Sequence, residues 1–372
     1  MDKALSARYS LKAGDKIRLG YISSDFRDHP VAVLIVEMIE RHDRSRFHVT
    51  GYSIGPDDNG ALGQRLQAGF DKFVDLRSLS TRQAADRINQ DGIDILIDLN
   101  GYTRFSRPEI LAFKPAPIQV NFLGYPGTMG VDYMDYIIAD DVCIPPEYDQ
   151  FYTEKVVRLP DTYQPNDRKR AVSEHTPTRA QCGLPEEGFV FCSFNNSYKI
   201  TPDFFALWMK LLAKVPGSVL WLLETNPVVG KNLRRVAAVW GIDPDRLVFA
   251  PRLPLAEHLA RHRLADLFLD TLPYNAHTTT SDALWVGLPV LTCRGETFAG
   301  RVAASLLTAM QMPELIVDSI QDYESTALRL ATDPALMSAI RSKLQGNLTT
   351  APLFDTETYI KNFEAALLNM LS

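Results

Sequence analysis

With 372 residues, 46% of them hydrophobic and 23% charged, the chain carries enough apolar side chains for two globular cores. A net charge of −6 and a pI near 5.7 exclude the basic face that a nucleic-acid partner requires. No signal peptide opens the chain and no apolar run approaches the ~20 residues that span a bilayer, so no membrane partner and a cytoplasmic location are expected. The four cysteines (Cys143, Cys182, Cys192, Cys293) are scattered without metal spacing and read as reduced, mostly buried thiols.

Residues 1–15 are polar and read as frayed or as a short leading helix. A strand follows at 16–22 (KIRLGYI), with 23–30 as its exit loop and Pro30 placed to begin a helix over 31–41. Strands are expected at 47–54, 93–99 (ending in Asn100-Gly101-Tyr102-Thr103), 118–123 and 136–139, with helical stretches at 62–70 and 84–90. The segment 161–182 is polar, holds two prolines and shows no apolar period, which marks a linker.

Alternation restarts with a strand at 189–194, whose exit loop runs to Lys199. Thr201-Pro202-Asp203 then opens a helix with cap, proline and acid in preferred places. Strands at 219–223 and 247–250 and helices at 231–240 and 256–264 lead to a buried strand at 267–269. After it, Asn275-Ala276-His277 feeds three threonines and a short helix through Trp285, which Gly287 and Pro289 end before a strand at 289–291. A helix at 302–310 and two or three more helices complete the chain; the last, at 359–371, has an apolar face and must dock. Strand–helix alternation on this scale implies parallel sheets covered on both faces, in two Rossmann-like doubly wound domains. Ligands of such domains sit at strand exits, here in a central cleft between the two.

The helix start at Thr278–Thr280 is a ready anion site, because free amides and the positive dipole end face out of the loop. A hydroxyl residue is expected to cap that helix, and Asp282, read in its first turn, can accept both hydroxyls of a ribose or be an ordinary first-turn acid. Lys199 either neutralises a phosphate or packs its stem at the surface. His29 and His277 stand at strand-to-helix junctions, where histidine bonds sugar, phosphate or a reacting hydroxyl, or simply structures the loop. His258 and Arg261 share one face of a helix and could read a base edge or lie on a solvated face. Asp98, Asn100 and Thr103 end a buried strand, and Asp98 is a general-base candidate. Asp243-Pro244-Asp245 is read as a turn and not as a D-x-D metal site, so no metal is expected.

Taken together, these strings resemble the catalytic region of protein O-linked N-acetylglucosamine transferases and their SPINDLY-type relatives. The resemblance rests on GYISSDFRDHP (20–30), DLNGYTRFSRPEI (98–110), KPAPIQ (114–119), LGYPGTMG (123–130), SFNNSYKITP (193–202), HTTTSDALWVGLPVLT (277–292) and GETFAGRVAASLL (295–307), in collinear order. It implies a GT-B glycosyltransferase: an acceptor-side domain over 1–165, a linker over 166–182, a nucleotide-sugar domain over 183–352 and a C-terminal helix over 353–372. It further implies inverting transfer of GlcNAc from UDP-GlcNAc to Ser or Thr hydroxyls of a protein or peptide acceptor, with neither metal nor cofactor. By motif, Lys199 would stabilise the leaving diphosphate. Thr278, Thr279, His277 and Asn196 would lie at the phosphates, Asp282 at the ribose, and His258 and Arg261 near the uracil. His29 and the Asp98–Thr103 loop would flank sugar and acceptor, with His29 or Asp98 as base. Leu255 stands where animal enzymes have a lysine, and Asn196 where they have a glutamine. No tetratricopeptide repeats are read in the chain, so weak transfer to free peptides and a repeat-containing recruiting partner are expected. The rival readings are a SPINDLY-like fucosyltransferase using GDP-fucose and a non-catalytic nucleotide-sugar-binding module.

Overall fold

A computed structural model describes residues 15–56 and 59–371; apart from Asp15, the leading segment expected to fray lies outside them. The chain divides into two compact units, Met1–Arg168 with Pro352–Ser372, and Lys169–Ala351.

Unit 1 is built on seven parallel strands: β1 (Ile17–Ser23), β2 (Phe47–Ser53), β3 (Lys72–Asp75), β4 (Ile95–Asp98), β5 (Ile118–Asn121), β6 (Tyr136–Asp140) and β7 (Lys155–Leu159). Their order is β3-β2-β1-β4-β5-β6-β7. Strand β4 (ILID) is buried throughout because helices cover both faces, and a residue on either side of the pleat must therefore be apolar or satisfied. Pairing of Leu19 with Ile95 through Ile22 with Asp98 brings the ends of β1 and β4 level. The order reverses between these two strands, the position at which open parallel sheets place their ligands. Strands β3 and β7, not expected from the sequence, carry only four and five residues, too few for a period to show.

The C-terminal helix Thr356–Met370 docks on unit 1. Tyr359 Oη donates to the Tyr163 carbonyl at 2.7 Å, Phe363 packs on Phe122, and Glu364 accepts at 2.9 Å from His42 Nδ1. Tyr21 Oη donates at 2.8 Å to the other nitrogen of that imidazole.

Unit 2 holds β8 (Val190–Ser193), β9 (Val219–Leu223), β10 (Leu247–Ala250), β11 (Leu267–Leu269), β12 (Val290–Cys293) and β13 (Ile316–Val317), all parallel, in the order β10-β9-β8-β11-β12-β13. The reversal here falls between β8 and β11, where Phe191 pairs with Leu267. Thr201 caps the helix Pro202–Lys214 by accepting from the Phe204 amide, with Pro202 and Asp203 in the first turn. The stretch read as a linker is irregular in backbone but fastened. Asp167 pairs with Arg65 in unit 1, whereas Arg170 and Ser173 bond within unit 2. No helix among the described residues is long and apolar enough to cross a membrane.

Candidate active site

In unit 2 the exits of β8 and β11 carry half of the candidate residues singled out in the sequence. Lys199 ends a single 3-10 turn (Ser197–Lys199), and its ammonium donates to the Asn275 carbonyl at 2.7 Å while resting 3.9 Å from the centre of the Tyr274 ring. Burial lowers its pKa to about 8, against the opposing pull of Asp270. Among the described residues no carboxylate stands within ion-pair distance of it. Asp270 is itself fully engaged: Oδ1 accepts from the Thr271 and Ala276 amides, and Oδ2 from Thr292 Oγ1. Those bonds hold the β11 exit in shape, and burial raises this carboxyl to about 6.

The helix Thr278–Trp285 starts beside Lys199, but not as expected from the sequence. Its N-cap is His277, which makes no side-chain cap bond, and two of the threonine hydroxyls are used elsewhere. Thr279 Oγ1 donates to Asn195 Oδ1 at 2.6 Å, and Thr280 Oγ1 reaches back to the Ala276 carbonyl at 3.1 Å. The amides of Thr278 and Thr279 therefore head the helix with no acceptor among the described residues. His277 Nε2 contacts the Ala299 carbonyl at 3.2 Å. Its pKa is driven well below the ordinary imidazole value, first by burial and then by Lys199. Asn196 is exposed at the rim, its carbonyl accepting from the Lys199 amide.

Asp282 departs from expectation in two ways. It is the fifth residue of its helix and so lies in the second turn, and it is buried, with Oδ1 accepting from Arg170 Nη1 at 2.7 Å. Arg170 also stacks on Trp285, at 5.3 Å. Burial raises the Asp282 carboxyl to about 6, and Arg170 opposes that rise. Arg170 lies 112 residues away in the polar stretch read as a linker, so nothing local in the sequence pointed to this pair.

The solvated face considered for His258 and Arg261 is not what forms. Arg261 is buried, donates to the Pro251 carbonyl at 2.6 Å, contacts His258 Nδ1 and lies over the Phe194 ring. His262, which sequence reasoning passed over, completes the cluster: its ring is 4.6 Å from that of His258 and 4.9 Å from that of Phe194. Burial, the leading cause in each case, lowers His258 to about 2 and His262 to about 4, so both rings are neutral. Its i+4 spacing from His258 was the available signal. Asp243 Oδ1 accepts from the Asp245 amide at 3.0 Å, which makes that string a turn.

In unit 1 the exits of β1 and β4 are laced together. Asn100 Oδ1 accepts from the Ser24 amide at 2.7 Å, and Asn100 Nδ2 donates to Ser24 Oγ, Asp25 Oδ2 and Thr103 Oγ1. Asp98 accepts from the Asn100 and Gly101 amides, and burial raises it to about 6. His29 caps the helix Pro30–Arg41: Nδ1 accepts from the Val31 amide at 3.3 Å and lies 3.7 Å from Asp25 Oδ2. Burial lowers its pKa, with Asp25 pulling the other way. Asp25 was not among the residues expected; it is buried and faces His29, a placement set by the turn after β1.

Residues 4–176 and 169–363 match the description "Glycosyl transferase family 41". The chain is 40% identical over 361 residues to an Arabidopsis thaliana protein named probable UDP-N-acetylglucosamine–peptide N-acetylglucosaminyltransferase SEC, covering 95% of this chain and 37% of that one. It is 32% identical over 472 residues to the Caenorhabditis elegans UDP-N-acetylglucosamine–peptide N-acetylglucosaminyltransferase, covering 97% and 41%. The chain thus spans about two fifths of the length of these relatives. Among solved structures, a mutant Thermobaculum terrenum O-GlcNAc transferase superposes with a TM-score of 0.89 at 33% identity, covering 96% of this chain and 68% of that one. An Anabaena protein solved with UDP and glucose gives 0.64 at 12% identity, covering 95% and 100%, which bears on the fold alone. The fold is that of GT-B proteins, two parallel-sheet α/β units.

Proposed function

The chain belongs to glycosyl transferase family 41, and on that premise we propose that it transfers N-acetylglucosamine from UDP-N-acetylglucosamine to serine or threonine hydroxyls of a protein. The transfer inverts the anomeric centre and needs no metal ion or cofactor. The observation that carries this reading lies at the β8 and β11 exits: an ammonium without a carboxylate in contact, beside a helix head whose first amides have no acceptor among the described residues. That combination suits a diphosphate, whose charge both can meet at once.

In the reaction the acceptor oxygen bonds to the anomeric carbon as the bond from that carbon to the diphosphate oxygen breaks. The electron pair leaves with the nucleotide, where Lys199 and the Thr278 and Thr279 amides stabilise it. The hydroxyl proton goes to a base. With its Nδ1 accepting from Val31, neutral His29 carries its proton on Nε2 and is a donor, suited to orienting sugar or acceptor. Asp98 retains a lone pair on each oxygen beyond its two amide bonds and, at about 6, is ionised at neutral pH. Asp98 is accordingly the base in this reading.

Calorimetry with UDP-N-acetylglucosamine, UDP and GDP-fucose tests the donor. Micromolar binding of the first two is the expected result, and preference for GDP-fucose overturns it. Transfer should survive a chelator, and Asp98→Asn should abolish transfer while leaving UDP affinity intact.

A further inference from the structure

We propose that Tyr274 is a positioning residue for Lys199, presenting an aromatic face that holds the ammonium in place of a counter-ion. The inference rests on the reading of Lys199 as the charge that meets the donor diphosphate. The ammonium has two neighbours that fix it, the Asn275 carbonyl at 2.7 Å and the Tyr274 ring centre at 3.9 Å. The acid that pulls on it, Asp270, already has both oxygens bonded to Thr271, Ala276 and Thr292. The other titratable groups facing this place are aromatic. His277 lies 4.9 Å from the Tyr274 ring and is neutral, and Tyr198 lies 6.3 Å from it and is exposed.

A ring face attracts a cation through its quadrupole but accepts no proton and cancels no charge. A carboxylate in the same place would hold the ammonium more tightly and compete with the incoming diphosphate. The ring keeps the side chain aimed while leaving its full charge for the ligand. The Tyr274 hydroxyl makes no hydrogen bond among the described residues, so the ring, not the phenol, carries the role.

The test compares Tyr274→Phe, Tyr274→Leu and Tyr274→Met in the full chain, with two readouts. One is the titration of Lys199 by NMR on lysine labelled at Cε, assigned with Lys199→Ala. The other is UDP affinity by calorimetry at pH 8. Tyr274→Phe should match the wild type in both. Tyr274→Leu and Tyr274→Met keep the bulk but lose the quadrupole, so the ammonium should titrate at lower pH and UDP should bind about threefold or more weaker. Wild-type behaviour in either folded variant, or equal damage from Tyr274→Phe, overturns the proposal. If UDP does not bind the wild type, the reading of the site fails instead, and the lysine titration alone decides whether Tyr274 holds the ammonium.

Discussion

Lys199 combines three properties that a surface lysine lacks: a half-buried stem, a carbonyl acceptor and a titration near 8. Lys199→Ala should lower turnover by about 100-fold or more, the range for loss of a preorganised charge, with the circular dichroism spectrum unchanged. Burial disfavours its charged form, so the ammonium is present below pH 8 and lost above it. A wild-type rate profile should therefore fall on the alkaline side near pH 8, and Lys199→Arg should remove that limb. Asp282 yields a different expectation from a ribose-binding acid alone. Removing it takes from a buried guanidinium the carboxylate it donates to, and deleting one partner of a buried pair costs about 3–5 kcal/mol. Asp282→Ala should thus lower the urea midpoint as well as UDP affinity, and an unchanged midpoint would show that Arg170 finds water on its own. Lys199, His277 and the threonines were legible because they stand directly after apolar strands. The partners of Asp282 and His29 were not, because each is fixed by a turn or a distant segment with no pattern of its own.

At the scale of elements, long strands and capped helices announced themselves. The Pro202–Lys214 helix shows its cap, proline and acid in sequence, and β9 and β10 are single apolar runs between turns. Strands β3, β7 and β13 did not, since two to five residues buried by neighbours leave no period to read. The helix ending at Trp285 was foreseen, but it starts earlier than read and its cap is not a hydroxyl: a bond to Asn195 and one back to the Ala276 carbonyl engage Thr279 and Thr280. The C-terminal helix is held by a polar contact that its apolar face did not foretell. Glu364→Ala leaves the His42 imidazole and the Asp43 amide without their acceptor. A loss of about 1–3 kcal/mol is expected, read as a lower denaturation midpoint of the purified chain.

For the molecule as a whole, buried imidazoles set the response to acid. His29, His42, His258, His262 and His277 are all held below the ordinary 6.5, chiefly by burial. As pH falls through about 6.5 the unfolded chain takes up these protons first, so their stabilisation is present above that pH and is lost below it. Asp98, Asp270 and Asp282, raised to about 6, act in the opposite sense, because the folded chain protonates them first between about 6 and 3.8. Three such groups only partly offset five. Urea midpoints measured from pH 7.5 to 5 should fall steadily, and a midpoint that rises on acidification would contradict this balance.

Unit 1 closes only when Pro352–Ser372 returns to it, after the whole of Lys169–Ala351 has been laid down. During synthesis the ribosome therefore delivers every residue of the second unit before the last helix of the first. Until that helix emerges, Phe122 and the His42–Tyr21 pair lack the Phe363 and Glu364 side chains that cover and bond them. The second unit can fold to completion while the first still waits, an inversion of the usual vectorial order, and a chain cut after Ala351 should resist protease in its later half and yield in its earlier one.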